Sequence, residues 1–181
     1  MLLWTLLIIA LVYLDQMSKY LAVIFLKGEE SFPLWQDVLH LTYVENRGAA
    51  FGMLKDHRWV FMVISTVAII GILVYLSFHH KDGRLQSLSL SMLIAGGIGN
   101  MIDRIVLGYV IDFIDFTLID FAVFNIADSC VCVGVGLLML CLIIDTVRSY
   151  KEEKRAKLAN TAEDVEPTDV SDDASDKENG K

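Results

Sequence analysis

The sequence lacks the residues on which several common functions depend. It contains no His-Glu-x-x-His motif, and its four histidines lie outside the long apolar segments, which argues against a metalloprotease. Its three cysteines, Cys130, Cys132 and Cys141, all fall in the last apolar segment. There they act as small apolar side chains, so we predict neither a disulfide framework nor a metal site. No internal repeat is visible, so the inverted-repeat plan of many transporters is not supported.

Apolar residues, by contrast, are abundant. They make up 55% of the 181 residues, whereas soluble domains average about 45–50%. This composition indicates a polytopic membrane protein. The formal net charge of −8 is mostly local, because residues 158–181 carry eight acidic and two basic side chains. That stretch has almost no large apolar residues, so we predict a disordered tail over 151–181 that is first basic and then acidic.

Four segments are long enough to cross a bilayer, which takes about 20 apolar residues. They span about 2–26, 59–78, 85–102 and 121–144, and in lipid they must be helical to satisfy their own backbone. The first has no basic n-region and no small-residue cleavage site, so we expect it to be retained. The connections 27–58 and 103–120 complete a membrane domain over 1–150. Within the first connection, residues 38–46 are rich in β-branched and aromatic side chains and predict a β element.

Basic residues beside the apolar segments predict the orientation of the chain. The connection 79–84 carries Lys81 and Arg84, and a cluster of Arg and Lys follows the fourth segment. Such residues are enriched in cytoplasmic loops, so both termini should be cytoplasmic, with 27–58 and 103–120 external.

Polar side chains concentrate near the external end of the apolar segments. An aspartate such as Asp128, just inside a membrane-length segment, costs roughly 2.5–3.5 kcal/mol on insertion scales. Several other groups share that end: Asp15, Ser18, Lys19, Glu45, Asn46, Arg47, Asn100, Asp103, Arg104, Asp112, Asp115 and Asn125. Polar contacts between helices would account for some of them. The number of acids exceeds what packing requires.

Two carboxylates are the chemistry that these residues best support. A Ser18–Lys19 dyad is geometrically poor, because adjacent helical residues point about 100° apart. Two carboxyl groups close together share one proton, so that one is a base and the other an acid. Asp128 is one candidate, and residue chemistry alone does not choose its partner among Asp103, Asp112 and Asp115. A proton- or ion-coupled transporter and a non-catalytic scaffold remain the alternatives.

Five ordered motifs resemble those of the lipoprotein signal peptidases, also called signal peptidase II. They are "DQMSK" at 15–19, "ENRGAAFG" at 45–52, "GGIGNMIDR" at 96–104, "GYVIDF" at 108–113 and "FNIADS" at 124–129. The resemblance covers residues 1–150 and implies four transmembrane helices with a small external β-sheet cradle. It also implies an aspartic endopeptidase of the bacterial plasma membrane, with its active site near the external face.

The resemblance assigns roles residue by residue. Asp112 and Asp128 match the two catalytic aspartates, and the supporting positions are Asp15, Lys19, Asn46, Asn100, Asp103, Arg104 and Asn125. The implied substrates are prolipoproteins, cut before a diacylglyceryl-modified cysteine during lipoprotein maturation. No cofactor, metal or nucleic acid is implied. Membrane lipid is the expected surrounding, and the enzyme is expected to be a monomer.

Overall fold

The first helix buries two charged residues and exposes most of its large apolar ones. The computed structural model describes residues 1–48, 58–80 and 83–163, and its helix α1 runs over Leu2–Leu26. The buried positions of α1 are Asp15, Lys19, Ala22 and Leu26, which lie on one face at helical spacing. Most of its large apolar side chains are exposed. A helix of this kind suits a bilayer, where lipid covers the apolar surface.

Three further helices follow, α2 over Arg58–His79, α3 over Arg84–Val106 and α4 over Ile126–Glu163. All four helices contain stretches long and apolar enough to cross a membrane. This confirms the expected multi-pass architecture. Between them lie three strands, β1 over Phe32–Trp35, β2 over Leu39–Asn46 and β3 over Val110–Asp115. They form one antiparallel sheet in the order β1-β2-β3. This sheet confirms the small β-sheet that was expected beside the four helices.

Helix α3 is the central element of the bundle. Its membrane-length stretch is 44% buried, against 11–17% for the other three. It packs on α1 and α2, and two glycines bring its backbone close to other elements. A Cβ on Gly96 would overlap the carbonyl oxygen of Ala127, and one on Gly99 would lie 2.5 Å from Oδ2 of Asp15. Small residues at these two positions therefore allow the close packing that membrane helices use in place of a hydrophobic driving force.

The sheet is attached to the bundle through α1 and β3. A buried apolar cluster joins Ala22 and Leu26 of α1 to Ile111 and Phe113 of β3. In the β2–β3 register, Val44 lies opposite Asp112. This attachment fixes the position of Asp112 relative to helix α1.

The predicted boundaries of the third and fourth helices need correction. Helix α3 continues through residues 103–106, because Lys19 neutralises Asp103 and makes that acid compatible with a helix. The remainder of the 103–120 connection contains β3 and a short 3-10 helix over Thr117–Ile119, rather than loop alone. Helix α4 begins at Ile126, not at 121, since Phe124 bridges to Ile114 of β3.

The carboxyl end of α4 also differs from the sequence prediction. The helix extends to Glu163, so residues 151–163 are helical rather than disordered. Glu, Lys, Arg and Ala are strong helix formers, and they dominate this stretch. The chain separates into two units, Met1–Cys141 and Leu142–Lys181, and side chains 142–158 of the second are exposed. Most of the predicted acidic tail, together with 49–57 and 81–82, lies outside the described residues.

Candidate active site

The start of helix α4 positions Asp128. Oδ1 of Asn125, the residue before the helix, accepts a hydrogen bond from the backbone N–H of Asp128 at 2.9 Å. Oδ2 of Asp128 accepts in return from the backbone N–H of Asn125 at 3.2 Å. This reciprocal pair is a capping box with aspartate in place of the usual Glu or Gln. It holds the Asp128 carboxylate at the positive end of the helix dipole.

Asp112 lies on β3 and is only 1% exposed. Its Oδ2 accepts a hydrogen bond from Nδ2 of Asn46 at 2.9 Å, and its Oδ1 accepts one from Nδ2 of Asn125 at 2.7 Å. Burial raises the pKa of Asp112 to about 6, and the negative charge of Asp128 acts in the same direction, while the two amide hydrogen bonds oppose the rise. A carboxyl group with this pKa can hold a proton near neutral pH.

Asn100 connects Asp128 to the rest of the polar network. Its Nδ2 donates to Oδ1 of Asp128 at 2.7 Å. Its Oδ1 accepts from Nδ2 of Asn125 at 3.1 Å and from Nζ of Lys19 at 2.9 Å. Because Asn125 also donates to Asp112, one continuous set of amide side chains touches both carboxylates.

Lys19 is the centre of the supporting charges. Its Nζ lies 2.9 Å from Oδ2 of Asp15 and 2.9 Å from Oδ2 of Asp103, and all three side chains are 2–3% exposed. Two carboxylates flank one ammonium, and Asn100 accepts its third hydrogen bond. Lys has three donors, so this buried cation is fully satisfied.

The two supporting carboxylates hold the backbone beside the two candidate catalytic residues. Oδ1 of Asp15 accepts the backbone N–H of Ala127 at 2.8 Å, one residue before Asp128. Oδ2 of Asp103 accepts the backbone N–H of Ile111 at 3.1 Å, one residue before Asp112. Lys19 bridges these two carboxylates and therefore links the backbone positions that carry the dyad.

A cavity of about 760 Å³ opens onto both carboxylates. Its lining is largely apolar, with the polar groups gathered around Asp112 and Asp128. The lining residues come from the end of β2 and the residues after it, from α3, β3, the segment 121–124 and the first turns of α4. Arg104 lines it as well, and its Nη1 donates to the backbone carbonyl of Asn100 at 3.3 Å.

All nine residues named from the sequence lie in this network or on this cavity: Asp15, Lys19, Asn46, Asn100, Asp103, Arg104, Asp112, Asn125 and Asp128. Two other candidates lie elsewhere. Asp115 accepts a hydrogen bond from Thr42 at 2.8 Å and does not line the cavity. Ser18 donates to the backbone carbonyl of Asp15, so it is not paired with Lys19.

Sequence reasoning missed Gln16. Its Nε2 lies 3.2 Å from Oδ2 of Asp15, 3.0 Å from Oδ1 of Asp103 and 3.1 Å from the carbonyl oxygen of Gly99. It therefore makes a second, uncharged bridge between the same two carboxylates. Its position between Asp15 and Lys19 in a membrane-length segment was the available signal, since an amide there needs buried partners.

The chain is similar to known proteins in sequence and in fold. A profile of the signal peptidase II family matches residues 7–144, which is most of the chain. The chain belongs to the signal peptidase II family. It is therefore a membrane-bound peptidase with four spanning helices, and nothing in the comparisons favours a transporter.

Individual relatives agree with the family assignment. The lipoprotein signal peptidase of Brevibacillus brevis is 47% identical over 143 residues, covering 78% of this chain and 96% of the relative. That of Halalkalibacterium halodurans is 43% identical over 151 residues, covering 82% and 96%. A solved bacterial membrane enzyme superposes with a TM-score of 0.74 at 34% identity over 79% of this chain and 88% of its own. The fold of this signal peptidase II family member is thus shared with an experimental structure.

Proposed function

We propose that this chain is an aspartic endopeptidase that removes the signal peptide from prolipoproteins, cutting just before a diacylglyceryl-modified cysteine. The relatives are lipoprotein signal peptidases, which supports the substrate class. The observation that carries the catalytic type is that the carboxylates of Asp112 and Asp128 line one cavity and are joined by a hydrogen-bond path that runs from Asp112 through the side chains of Asn125 and Asn100 to Asp128.

The proposed reaction is a general acid–base hydrolysis by a pair that holds one proton. The ionised carboxylate takes a proton from a water molecule, whose oxygen bonds to the carbonyl carbon of the scissile amide. The protonated carboxyl donates its proton to the carbonyl oxygen, giving a neutral tetrahedral intermediate. The C–N bond then breaks as the first carboxyl gives its proton to the cysteine nitrogen, while the second carboxylate takes back a proton from a hydroxyl of the intermediate, which becomes the new carboxyl group. The pair again holds one proton, and it titrates as a unit.

The neighbouring amides keep this pair in a usable geometry. Each carboxylate accepts two hydrogen bonds. Asp112 accepts them from the side chains of Asn46 and Asn125. Asp128 accepts them from the side chain of Asn100 and from the backbone N–H of Asn125. With their rotamers restricted in this way, the carboxyl groups lose little entropy when the substrate binds. Asp15, Lys19 and Asp103 are positioning residues, because they act through the backbone at Ala127 and Ile111.

The cavity suits a lipid-linked substrate. Its lining is mostly apolar, and the residues around it include Phe121, Val131 and Val133. Apolar walls accommodate acyl chains and a hydrophobic signal helix, while Asp112 and Asp128 are among the few polar groups of the lining, at the place where a peptide bond would be cut. The helices that surround it expose apolar side chains to lipid, so the substrate can approach from within the membrane.

Cleavage of a defined peptide tests the function. We expect the purified protein to cut a synthetic lipobox peptide carrying a diacylglyceryl-cysteine once, between that cysteine and the preceding residue. Mass spectrometry would identify both products. The matched control is the same peptide with an unmodified cysteine, which should be cut much more slowly because it lacks the acyl chains. Absence of cleavage, or cleavage at another bond, would contradict the proposal.

We also propose that both termini face the cytoplasm of a bacterial cell, that the cavity faces the external side of its plasma membrane, and that the enzyme acts as a monomer. The basic residues near 79–84 and 148–157 support the orientation.

Thiol labelling in intact cells tests this topology. In a background without Cys130, Cys132 and Cys141, a cysteine at Glu30 should react with a membrane-impermeant reagent. One at Asp82, outside the described residues, should react only after the cells are lysed. The reverse pattern would overturn the orientation.

A further inference from the structure

The segment between the 3-10 helix and α4 carries an unusual backbone feature. Phe124 and Ile114 exchange two hydrogen bonds, from Phe124 N to Ile114 O at 3.0 Å and from Ile114 N to Phe124 O at 2.8 Å. Phe124 thus forms an isolated antiparallel β-bridge with β3, on the edge of β3 that does not pair with β2. Residues 121–123, which precede Phe124, form neither a helix nor a turn.

The backbone N–H and C=O of the preceding residue, Val123, have the opposite direction from those of Phe124. In an extended chain, successive residues direct their N–H and C=O groups to opposite edges, so a residue beside a hydrogen-bonded pair points away from the partner strand. The Val123 N–H and C=O therefore point away from β3. Within the part of the chain that the structure describes, neither group forms a hydrogen bond with the protein.

This open donor and acceptor lie at the candidate active site. Val123 lines the same cavity as Asp112 and Asp128. Ile114, which fixes the neighbouring Phe124, is two residues after Asp112 on the same strand. An unpaired strand edge is a template for a further strand, and peptides commonly bind in this way.

We propose that the scissile segment of the substrate binds in extended form by exchanging two backbone hydrogen bonds with Val123. This proposal rests on the proposed function and adds the binding mode of the peptide. The Val123 N–H donates to a carbonyl of one substrate residue, and the N–H of that residue donates to the Val123 carbonyl. Because the contact uses backbone alone, it is indifferent to side chains, which suits an enzyme with many substrates.

Adjacent proline substitutions separate this contact from general damage to the segment. Val123→Pro removes the open donor, whereas Ala122→Pro removes an N–H that also has no protein partner but points toward β3. Neither change breaks a hydrogen bond of the free enzyme. We expect kcat/KM for the lipopeptide to fall at least tenfold in Val123→Pro, and to fall by a clearly smaller factor in Ala122→Pro. Val123→Ala keeps the N–H and should also lose clearly less than Val123→Pro.

The substrate offers an independent measurement on the unmodified enzyme. Lipopeptides are made with a single N-methyl group at each residue near the cut, leaving out the scissile amide itself. We expect one position to lose at least tenfold in kcat/KM, because its N–H can no longer donate to Val123. In the Val123→Pro enzyme the same N-methyl group should cost much less, since the two bonds form together.

Several results would overturn the binding mode. They are equal losses in Val123→Pro and Ala122→Pro, no loss in Val123→Pro, or a uniform response to N-methylation. If Val123→Pro does not fold, the N-methyl scan alone decides. Failure here is distinguishable from failure of the proposed function, which would appear as absent cleavage of the unmethylated lipopeptide by the wild-type enzyme.

Discussion

Asn in place of either Asp112 or Asp128 is expected to reduce kcat by about 10²–10⁴-fold or more, the range typical of a lost general acid or base. An asparagine keeps the shape of the side chain but neither takes nor gives the proton that the reaction moves. In the proposed mechanism both aspartates serve one proton-sharing pair, so the double variant should be little worse than either single variant. Initial rates on the diacylglyceryl peptide, measured at saturating substrate, would provide the comparison.

Asp115→Asn is the matched control for the dyad variants. Asp115 lies on the same strand as Asp112 and accepts a hydrogen bond from Thr42, but it does not line the cavity. We expect it to retain activity within a few-fold of wild type. All three variants should unfold at similar temperatures in detergent. Near-normal turnover by Asp112→Asn or Asp128→Asn would refute the dyad, as would an equal loss in Asp115→Asn.

Lys19→Met is expected to have the largest effect on stability. The change removes the one ammonium that lies 2.9 Å from both Asp15 and Asp103, and leaves two carboxylates buried at the centre of the bundle. Removing one partner of a buried ion pair costs about 3–5 kcal/mol, because the remaining charge is uncompensated. The free energy of unfolding should fall by this amount, and the unfolding midpoint in detergent should fall with it.

Lys27→Met provides the control for Lys19→Met. Lys27 is 52% exposed and 3.4 Å from Glu45, so losing that pair should change stability by only about 0–1 kcal/mol. Adding Asp103→Asn to Lys19→Met should recover part of the lost stability, since it removes one of the uncompensated charges. If Lys19→Met unfolded no earlier than Lys27→Met, the central role of Lys19 would be wrong.

Hydropathy correctly predicted the first two membrane-length helices. Segment 2–26 coincides with α1, and 59–78 differs from α2 by one residue at each end. The β-branched stretch at 38–46 likewise coincides with β2 to within one residue.

The parts that the sequence did not predict depend on contacts between distant residues. Strand β3 contains two acids and was assigned to a loop, yet Val110 and Asp112 are buried against β2 and the bundle. The aromatic run at 121–124 is apolar enough to resemble a helix, but pairing of Phe124 with Ile114 delays the start of α4. The position of Gln16 in a membrane-length segment indicated that it needs buried partners, but not which ones, since Gly99 and Asp103 lie more than eighty residues away.

The bond between Asp15 and Ala127 spans 112 residues and ties the first helix to the last. A chain that enters the membrane from its amino end makes α1 first and α4 last. Until α4 has been inserted, Asp128 is not in place, and Asp15 lacks the backbone group that it holds in the finished enzyme. The nascent polypeptide therefore lacks one member of the proposed catalytic pair at every stage before insertion of its final helix. Biosynthesis itself would delay the onset of proteolysis until that step.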